Sequence, residues 1–165
     1  MDSRICAHVV QAADAGEHDA VAGYLAFAGE PDILPALVQL YQLGHQVYLP
    51  VIDPQQQGLM RFCQWHPDCE LHINRFGIRE PADGPDIAIE ELNLVLAPLV
   101  GFTATGDRLG LGAGYYDRAM SFPTEGPRLT GVAYALQQVE TVHSEAWDVP
   151  VDELITENGW FAFQR

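Results

Sequence analysis

The chain has 165 residues, 48% hydrophobic and 10% aromatic, enough to bury the core of one globular domain and too apolar for a disordered chain. Its formal net charge is −15 and all eight basic residues are arginines, a balance that repels nucleic acid and anionic membranes. An anionic substrate must therefore be held by local groups: backbone N–H donors, particular arginines or a metal ion. The longest apolar run, Leu92 to Phe102, is broken by Asn93 and Pro98 and is too short to span a membrane. The N-terminus shows no export signal. The three unpatterned cysteines, Cys6, Cys63 and Cys69, fit free thiols in a reducing cytosol, so a cytoplasmic protein is expected.

In chain order, Ser3 to Ala12 reads as a short helix and "VAGYLAF" (Val21 to Phe27) as a strand. "PDILPALVQLYQLGH" places Ile33, Leu34, Leu37, Val38 and Tyr41 at helical spacing, with Gly44 at the expected stop. "QVYLPVI" reads as a strand directly after it, which predicts a parallel strand–helix–strand crossover. "LMRFCQW" and "ELHINRF" read as half-buried strands around the turn "HPDC", and "FGIREPADGPD" reads as loop. "LNLVLAPLVGF" is the near-continuous apolar run of a central strand covered on both faces. A short helix is predicted at "YYDRAMSF", and strands at "RLTGVAYAL" and "GWFAFQR". No repeat or linker interrupts this order, so the expectation is a single domain spanning 1–165. Its fold class is α/β, a mostly parallel sheet flanked by helices as a three-layer sandwich.

The segment "GDRLGLGAGYYDR" lies between the central strand and the next helix. Glycines let backbone N–H groups approach an anion closely, and a following helix N-terminus adds a favourable dipole. Gly110-x-Gly112-x-Gly114 is neither the Rossmann nor the P-loop pattern, so a tight turn without a ligand is the plain alternative. The flanking residues favour nucleotide or phosphate binding. Arg108 can pair with phosphate oxygens, Asp117 can hold Mg²⁺ against them, and Tyr115 and Tyr116 offer flat faces for a ring system. His66-x-x-Cys69-x-x-His72 reads as a polar turn with a buried thiol rather than a metal site, and Glu90-Glu91 as a solvated edge.

"RLGLGAGYYDR" with the upstream "LVLAPLVGFTATGDR" resembles the signature of 5-formyltetrahydrofolate cyclo-ligase, also called methenyltetrahydrofolate synthetase. "YLAFAGEPDI", "GHQVYLP", "MRFCQW", "NRFGIREP", "GVAYALQQVE" and "EAWDVPVDELITENG" match the same family in its order, from about Ile5 to Glu157. The resemblance implies ATP-dependent conversion of 5-formyltetrahydrofolate to 5,10-methenyltetrahydrofolate with release of ADP and phosphate, and Mg²⁺ as cofactor. By position it assigns the ATP loop to Arg108, Leu109, Gly110, Leu111, Gly112, Ala113, Gly114, Tyr115 and Tyr116. It assigns folate contacts to Leu25, Glu30, Leu111, Gly112, Ala113, Gly114 and Tyr115, and the metal carboxylates to Asp117 and Asp148. Positioning falls to Arg108 and Tyr115, with no protein nucleophile. Ala113 stands where family members often carry Gly or Lys.

The family normally opens with a further helix whose Lys/Arg pair meets the ATP phosphates. Arg4 falls in the second helix and is not matched to that pair. The alternative expectation is a non-catalytic folate- or nucleotide-binding relative disabled by loss of that first helix. Fold analogy alone also permits a sugar-phosphate isomerase or acyl-CoA transferase. The expected partners are ATP and 5-formyltetrahydrofolate, with no nucleic acid, no membrane, and a monomer as the default.

Overall fold

The computed structural model describes residues 1–16, 19–109, 114–121 and 126–163. Helix α1 (Asp2–Ala15) buries Ile5, Cys6, Val9, Ala12 and Ala13 along one stripe, with Asp2 in the first turn, where the helix dipole favours an acid. Strand β1 (Ala20–Ala22) precedes helix α2 (Leu34–Gln42), which buries Ala36, Leu37 and Leu40. Asp32 Oδ1 accepts the Leu34 N–H at 3.0 Å and so starts α2. At its end the Gly44 and His45 amides donate to the Tyr41 and Leu40 carbonyls at 3.1 and 3.0 Å. That closure holds Gly44 at φ +95°, where side chains are strained, so the predicted stop is met.

Strand β2 (Gln46–Ile52) pairs in parallel with β1, which realises the predicted crossover. Strand β3 (Met60–Trp65) returns antiparallel on β2. Strands β4 (Leu71–Ile73) and β5 (Arg79–Pro81) form a separate hairpin, and β6 (Asp86–Ile87) pairs with β3. Then come β7 (Leu94–Pro98), the small pair β8 (Gly101–Phe102) and β9 (Arg108–Leu109), and the short helix α3 (Tyr115–Ala119). Strands β10 (Arg128–Val132), β11 (Glu153–Thr156) and β12 (Gly159–Ala162) complete the order.

Eight strands form one sheet in the order β12-β11-β10-β7-β1-β2-β3-β6. The run from β11 to β2 is parallel, with antiparallel strands at both edges. The α/β expectation therefore holds. Along β7, Leu94 and Leu96 pack into the core beneath α1 and α2, while Val95 and Ala97 face the opposite core with Phe62, Leu129 and Met120. Burial on both faces is the reason this strand reads as a continuous apolar run. Both long helices lie on one face; α3 and the loops around it cover the other.

Two expectations need correction, and two features lie outside what the sequence predicted. The strand predicted at Val21–Phe27 ends its pairing at Ala22, because the chain leaves the sheet and Tyr24 anchors it with an O–H bond to the Pro31 carbonyl at 2.8 Å. "LMRFCQW" and "ELHINRF" do not share a sheet. The "FGIREPADGPD" segment is not all loop: it supplies β5 and β6, where Pro81 is tolerated because the strand is an edge. Strand β11 was not expected; its acid hides it, since buried Glu153 is neutralised by Arg128 at 2.7 Å and accepts the Thr130 hydroxyl at 3.0 Å.

The β4–β5 hairpin is fixed to the sheet by Glu80, 4% exposed. Its carboxylate accepts the Ile52 N–H (3.1 Å) and the Asn74 amide (3.1 Å), and pairs with His72 Nε2 (2.8 Å). Glu80→Ala should leave buried donors unpaired and lower stability by about 2–4 kcal/mol, read from urea unfolding. A midpoint within error of the parent protein would show that the hairpin does not depend on this carboxylate.

Candidate active site

The chain runs from β1 outward to β2, then returns to the other side of β1 as β7. Ligands of open parallel sheets bind beyond the strand C-termini where the order reverses in this way. A cleft of about 310 Å³ lies there. Its floor comes from the ends of the three strands: Tyr24 and Leu25 after β1, Leu49 and Ile52 of β2, Pro98 of β7. Its walls come from Phe76, Ile78 and Arg79 of the hairpin and from Tyr115 and Tyr116 of α3.

Glu30 enters this cleft from the turn Phe27–Glu30. Its Oε1 accepts the Phe27 N–H at 2.9 Å, and its own N–H donates to the Phe27 carbonyl at 3.2 Å. Oε2 carries no hydrogen bond among the described residues. Burial raises the carboxyl above its ordinary pKa, an effect only partly offset by the Phe27 N–H. The turn needs left-handed backbone at two successive residues, Ala28 (φ 53°) and Gly29 (φ 85°). Alanine tolerates that conformation poorly, so Ala28 is a strained residue beside a candidate ligand group.

Gly114 is the described end of the glycine segment, and its φ of +73° makes the sharp entry into α3. Tyr115 and Tyr116 follow on the cleft wall. Tyr115 accepts a hydrogen bond from Arg75 at 3.4 Å and packs edge-on against Phe76, centroids 6.2 Å apart. Burial and the nearby Glu30 carboxylate both push the Tyr116 hydroxyl upward, so it is a neutral donor. Gly110, Leu111, Gly112 and Ala113 lie outside the described residues. Leu109 is exposed on β9.

Asp117 sits in the first turn of α3 and is ion-paired to Arg108, whose Nε also donates to the Val149 carbonyl at 2.8 Å. The same carboxylate oxygen of Asp117 accepts the Val149 N–H at 2.9 Å. Asp148, the preceding residue, accepts the Glu145 N–H at 2.7 Å. The fold thus brings the Asp117 and Asp148 segments into contact across a long sequence separation. Asp117 Oδ2 and Asp148 Oδ1 have no hydrogen bond among the described residues. Among those residues no three His, Cys, Asp or Glu side chains converge as a metal cage. Two open carboxylate oxygens suit Mg²⁺, which is usually held by one or two carboxylates together with substrate phosphates and water.

The model of the 5-formyltetrahydrofolate cyclo-ligase family matches residues 2–157. The chain belongs to that family. It is 39% identical over 139 residues to the 5-formyltetrahydrofolate cyclo-ligase of Escherichia coli strain K12, covering 82% of this chain and 76% of that one. It is 35% identical over 138 residues to the Haemophilus influenzae protein of the same name, covering 82% and 74%. The NMR structure of Aquifex aeolicus 5,10-methenyltetrahydrofolate synthetase superposes with a TM-score of 0.83 at 28% identity, covering 99% of this chain and 81% of that chain.

Of the residues that sequence reasoning names in this cyclo-ligase-family chain, the cleft unites Leu25, Glu30, Tyr115 and Tyr116, while Arg108, Asp117 and Asp148 do not line it. Phe27, Asn74, Phe76, Ile78 and Arg79 line the same cleft and were not named. The available signal was "NRFGIRE", which concentrates two arginines and an aromatic in an arginine-poor chain.

Arg108 is 8% exposed, so its charge depends on Asp117 for compensation. Asp117→Asn should therefore cost about 1–3 kcal/mol of stability and, if Asp117 holds the metal, should also raise the Mg²⁺ concentration needed for activity. Activity titrated against Mg²⁺ and a melting curve check the two effects. An unchanged Mg²⁺ midpoint would remove Asp117 from the metal site.

Proposed function

We propose that this chain, as one cyclo-ligase-like domain, converts 5-formyltetrahydrofolate and ATP to 5,10-methenyltetrahydrofolate, ADP and phosphate. The observation that carries the reading is the convergence of Leu25, Glu30, Tyr115 and Tyr116 in one cleft at the strand-order reversal. No feature favours the non-catalytic alternative.

In this reading Glu30 accepts hydrogen bonds from the amino group and ring N–H on one edge of the pterin. Leu25 and Leu49 pack against the ring face. The glycine segment, Gly110 to Gly114, and the N-terminus of α3 hold the ATP phosphates. The formyl oxygen attacks the γ-phosphorus and ADP departs. N10 of the folate then attacks the activated formyl carbon and gives up its proton, and the formyl C–O bond breaks to release phosphate, which can carry that proton away. No protein nucleophile is needed, so the chain's contribution is placing N10, the formyl group and the phosphate in line and keeping water out. Arg108 fixes the Asp117 carboxylate and the Val149 segment around the phosphate end. A bound magnesium ion, held by Asp117 and Asp148, would supply neutralisation of phosphate charge.

We also read the chain as a cytosolic monomer. The support for the location is that its three cysteines are free thiols.

The test is methenyl-product formation with ADP release, each dependent on both substrates. A protein that binds formylfolate but releases no phosphate would be the non-catalytic relative. Glu30→Gln should raise the KM for formylfolate about ten- to a hundredfold while ATP affinity is unchanged, because one acceptor oxygen becomes a donor facing a donor. The ionised carboxylate is the competent form, and burial raises its pKa above the ordinary 4.5. The parent KM should therefore climb as pH falls through a value above 4.5, and Glu30→Gln should lack that limb. A variant with parent KM and the same pH profile would return Glu30 to a purely local role in its turn.

A further inference from the structure

Helix α3 has five residues and places Tyr115 and Tyr116 on the cleft wall. A helix that short is not stable alone, so contacts from outside must set its position. Arg108 and the Val149 amide hold it at Asp117, and Arg75 reaches Tyr115 from the hairpin at 3.4 Å. A further tie comes from Arg118, whose Nη1 donates to the Gly58 carbonyl at 3.2 Å across 60 residues of sequence. Arg118 itself does not line the cleft.

Gly58 belongs to the connection between β2 and β3, whose flanking residues Ile52 and Met60 both line the cleft. The connection is closed on itself. Asp53 Oδ1 accepts the Gln55 and Gln56 amides at 2.8 and 3.1 Å, and the Asp53 amide donates to the Leu59 carbonyl at 3.0 Å. Residues 54–57 and Leu59 are exposed, yet Gly58 between them is buried, because the Arg118 guanidinium lies over it. A methyl group on Gly58 would sit 2.1 Å from Nη1, and the φ of +85° is one that side chains strain to adopt. The same guanidinium approaches Gly114, the N-cap of α3, where a methyl group would meet Nη1 at 3.5 Å. One planar cation thus joins the connection on the β2–β3 side of the cleft to the start of the helix on the other side.

We propose that Arg118 is a positioning residue that straps the β2–β3 connection to α3 and so keeps water from the activated formyl carbon, an inference that rests on the cyclo-ligase reading of the cleft. In that reading the formyl group becomes a phosphate ester that awaits N10. Water is the competing nucleophile, and excluding it is part of what a closed site does. If water attacks the same carbon, its oxygen adds, the C–O bond to phosphate breaks and 5-formyltetrahydrofolate is re-formed. The protons of the water pass to phosphate and solvent, and the net result is hydrolysis of ATP to ADP and phosphate. The walls that must stay together are Ile52 and Met60 on one side and Tyr115 and Tyr116 on the other, and the Arg118–Gly58 contact ties the two. Without the strap, activation by ATP continues, but part of the activated formyl group is lost to water.

The test is the ratio of ADP to methenyl product in the full chain, with Arg118→Ala and Gly58→Ala made separately and together. Arg118 is an exposed helix residue, so Arg118→Ala should fold with a melting midpoint near that of the parent. The parent should form ADP and methenyl product in equal amounts. Each variant should form about two- to tenfold more ADP than product, and the excess should require formylfolate. The double variant should be no worse than either single one, since both remove the same contact. Equal ADP and product in both single variants, an excess in Arg118→Ala alone, or additive excesses in the double variant would each overturn the strap and leave the cyclo-ligase reading standing. Absence of methenyl product from the parent chain overturns both.

Discussion

The Glu80 carboxylate is the contact on which the cleft depends. Strand β2 ends at Ile52, and its amide has no strand partner at that point; Glu80 accepts it. The same group holds Asn74, which in turn shapes the turn carrying Arg75, Phe76 and Ile78. An apolar residue of similar size could fill the space but would orphan the Ile52 amide and release Asn74. Two carboxylate oxygens can satisfy all three donors at once, and that capacity explains why an acid is buried here. Through this one group, the hairpin becomes a fixed wall of the cleft instead of a mobile flap on the sheet edge.

The same device recurs at the other end of the sheet. Glu153 is buried between Arg128 and Thr130, Glu157 accepts the Ala135 N–H at 2.5 Å, and Asp152 accepts the Leu129 N–H at 2.9 Å. Asn93 does likewise for Ala20 at 2.9 Å. Each satisfies a backbone amide or a neighbour where a strand begins or ends, places where the ladder leaves polar groups unmatched. Part of the acidic excess is therefore structural, used to satisfy donors at strand ends. The rest acts as a repulsive background towards anions.

The elements that were legible in the sequence are those with a clean period or an unambiguous stop. The apolar stripe of α2 with Gly44, the alternation in β2 and the unbroken run of β7 each follow from one physical rule. The illegible elements are those whose identity comes from tertiary partners. Strand β11 carries an acid, Glu153, that looks exposed until Arg128 and Thr130 are known to face it. Strand β5 contains a proline that argues against a strand unless its edge position is known. The early strand was drawn too long because Tyr24, Leu25 and Phe27 are apolar for a different reason: they face the cleft or anchor its turn, and do not pair in the sheet. Of the site, Glu30 and the two tyrosines came from matching segments to a family; the hairpin residues needed the fold to bring them across.

The turn at Phe27–Glu30 joins these themes. Glu30 closes its own turn twice, once through its amide and once through its carboxylate, so its side chain is oriented before any ligand arrives. Two costs accompany that arrangement: a left-handed Ala28 and a partly desolvated carboxylate. Both are met during folding, where the packing of Tyr24, Ile33 and Leu37 beneath the loop can offset them. A ligand that supplies N–H donors to the open oxygen then regains the lost hydration without ordering a flexible acid. The neighbouring Arg108–Asp117 pair follows a different logic. It is self-compensated, and removing either member exposes the other's desolvation. Glu30 thus enters the cleft with one carboxylate oxygen open to a donor, whereas Asp117, on the same short helix as the cleft-lining Tyr115 and Tyr116, is already engaged by Arg108 and the Val149 amide.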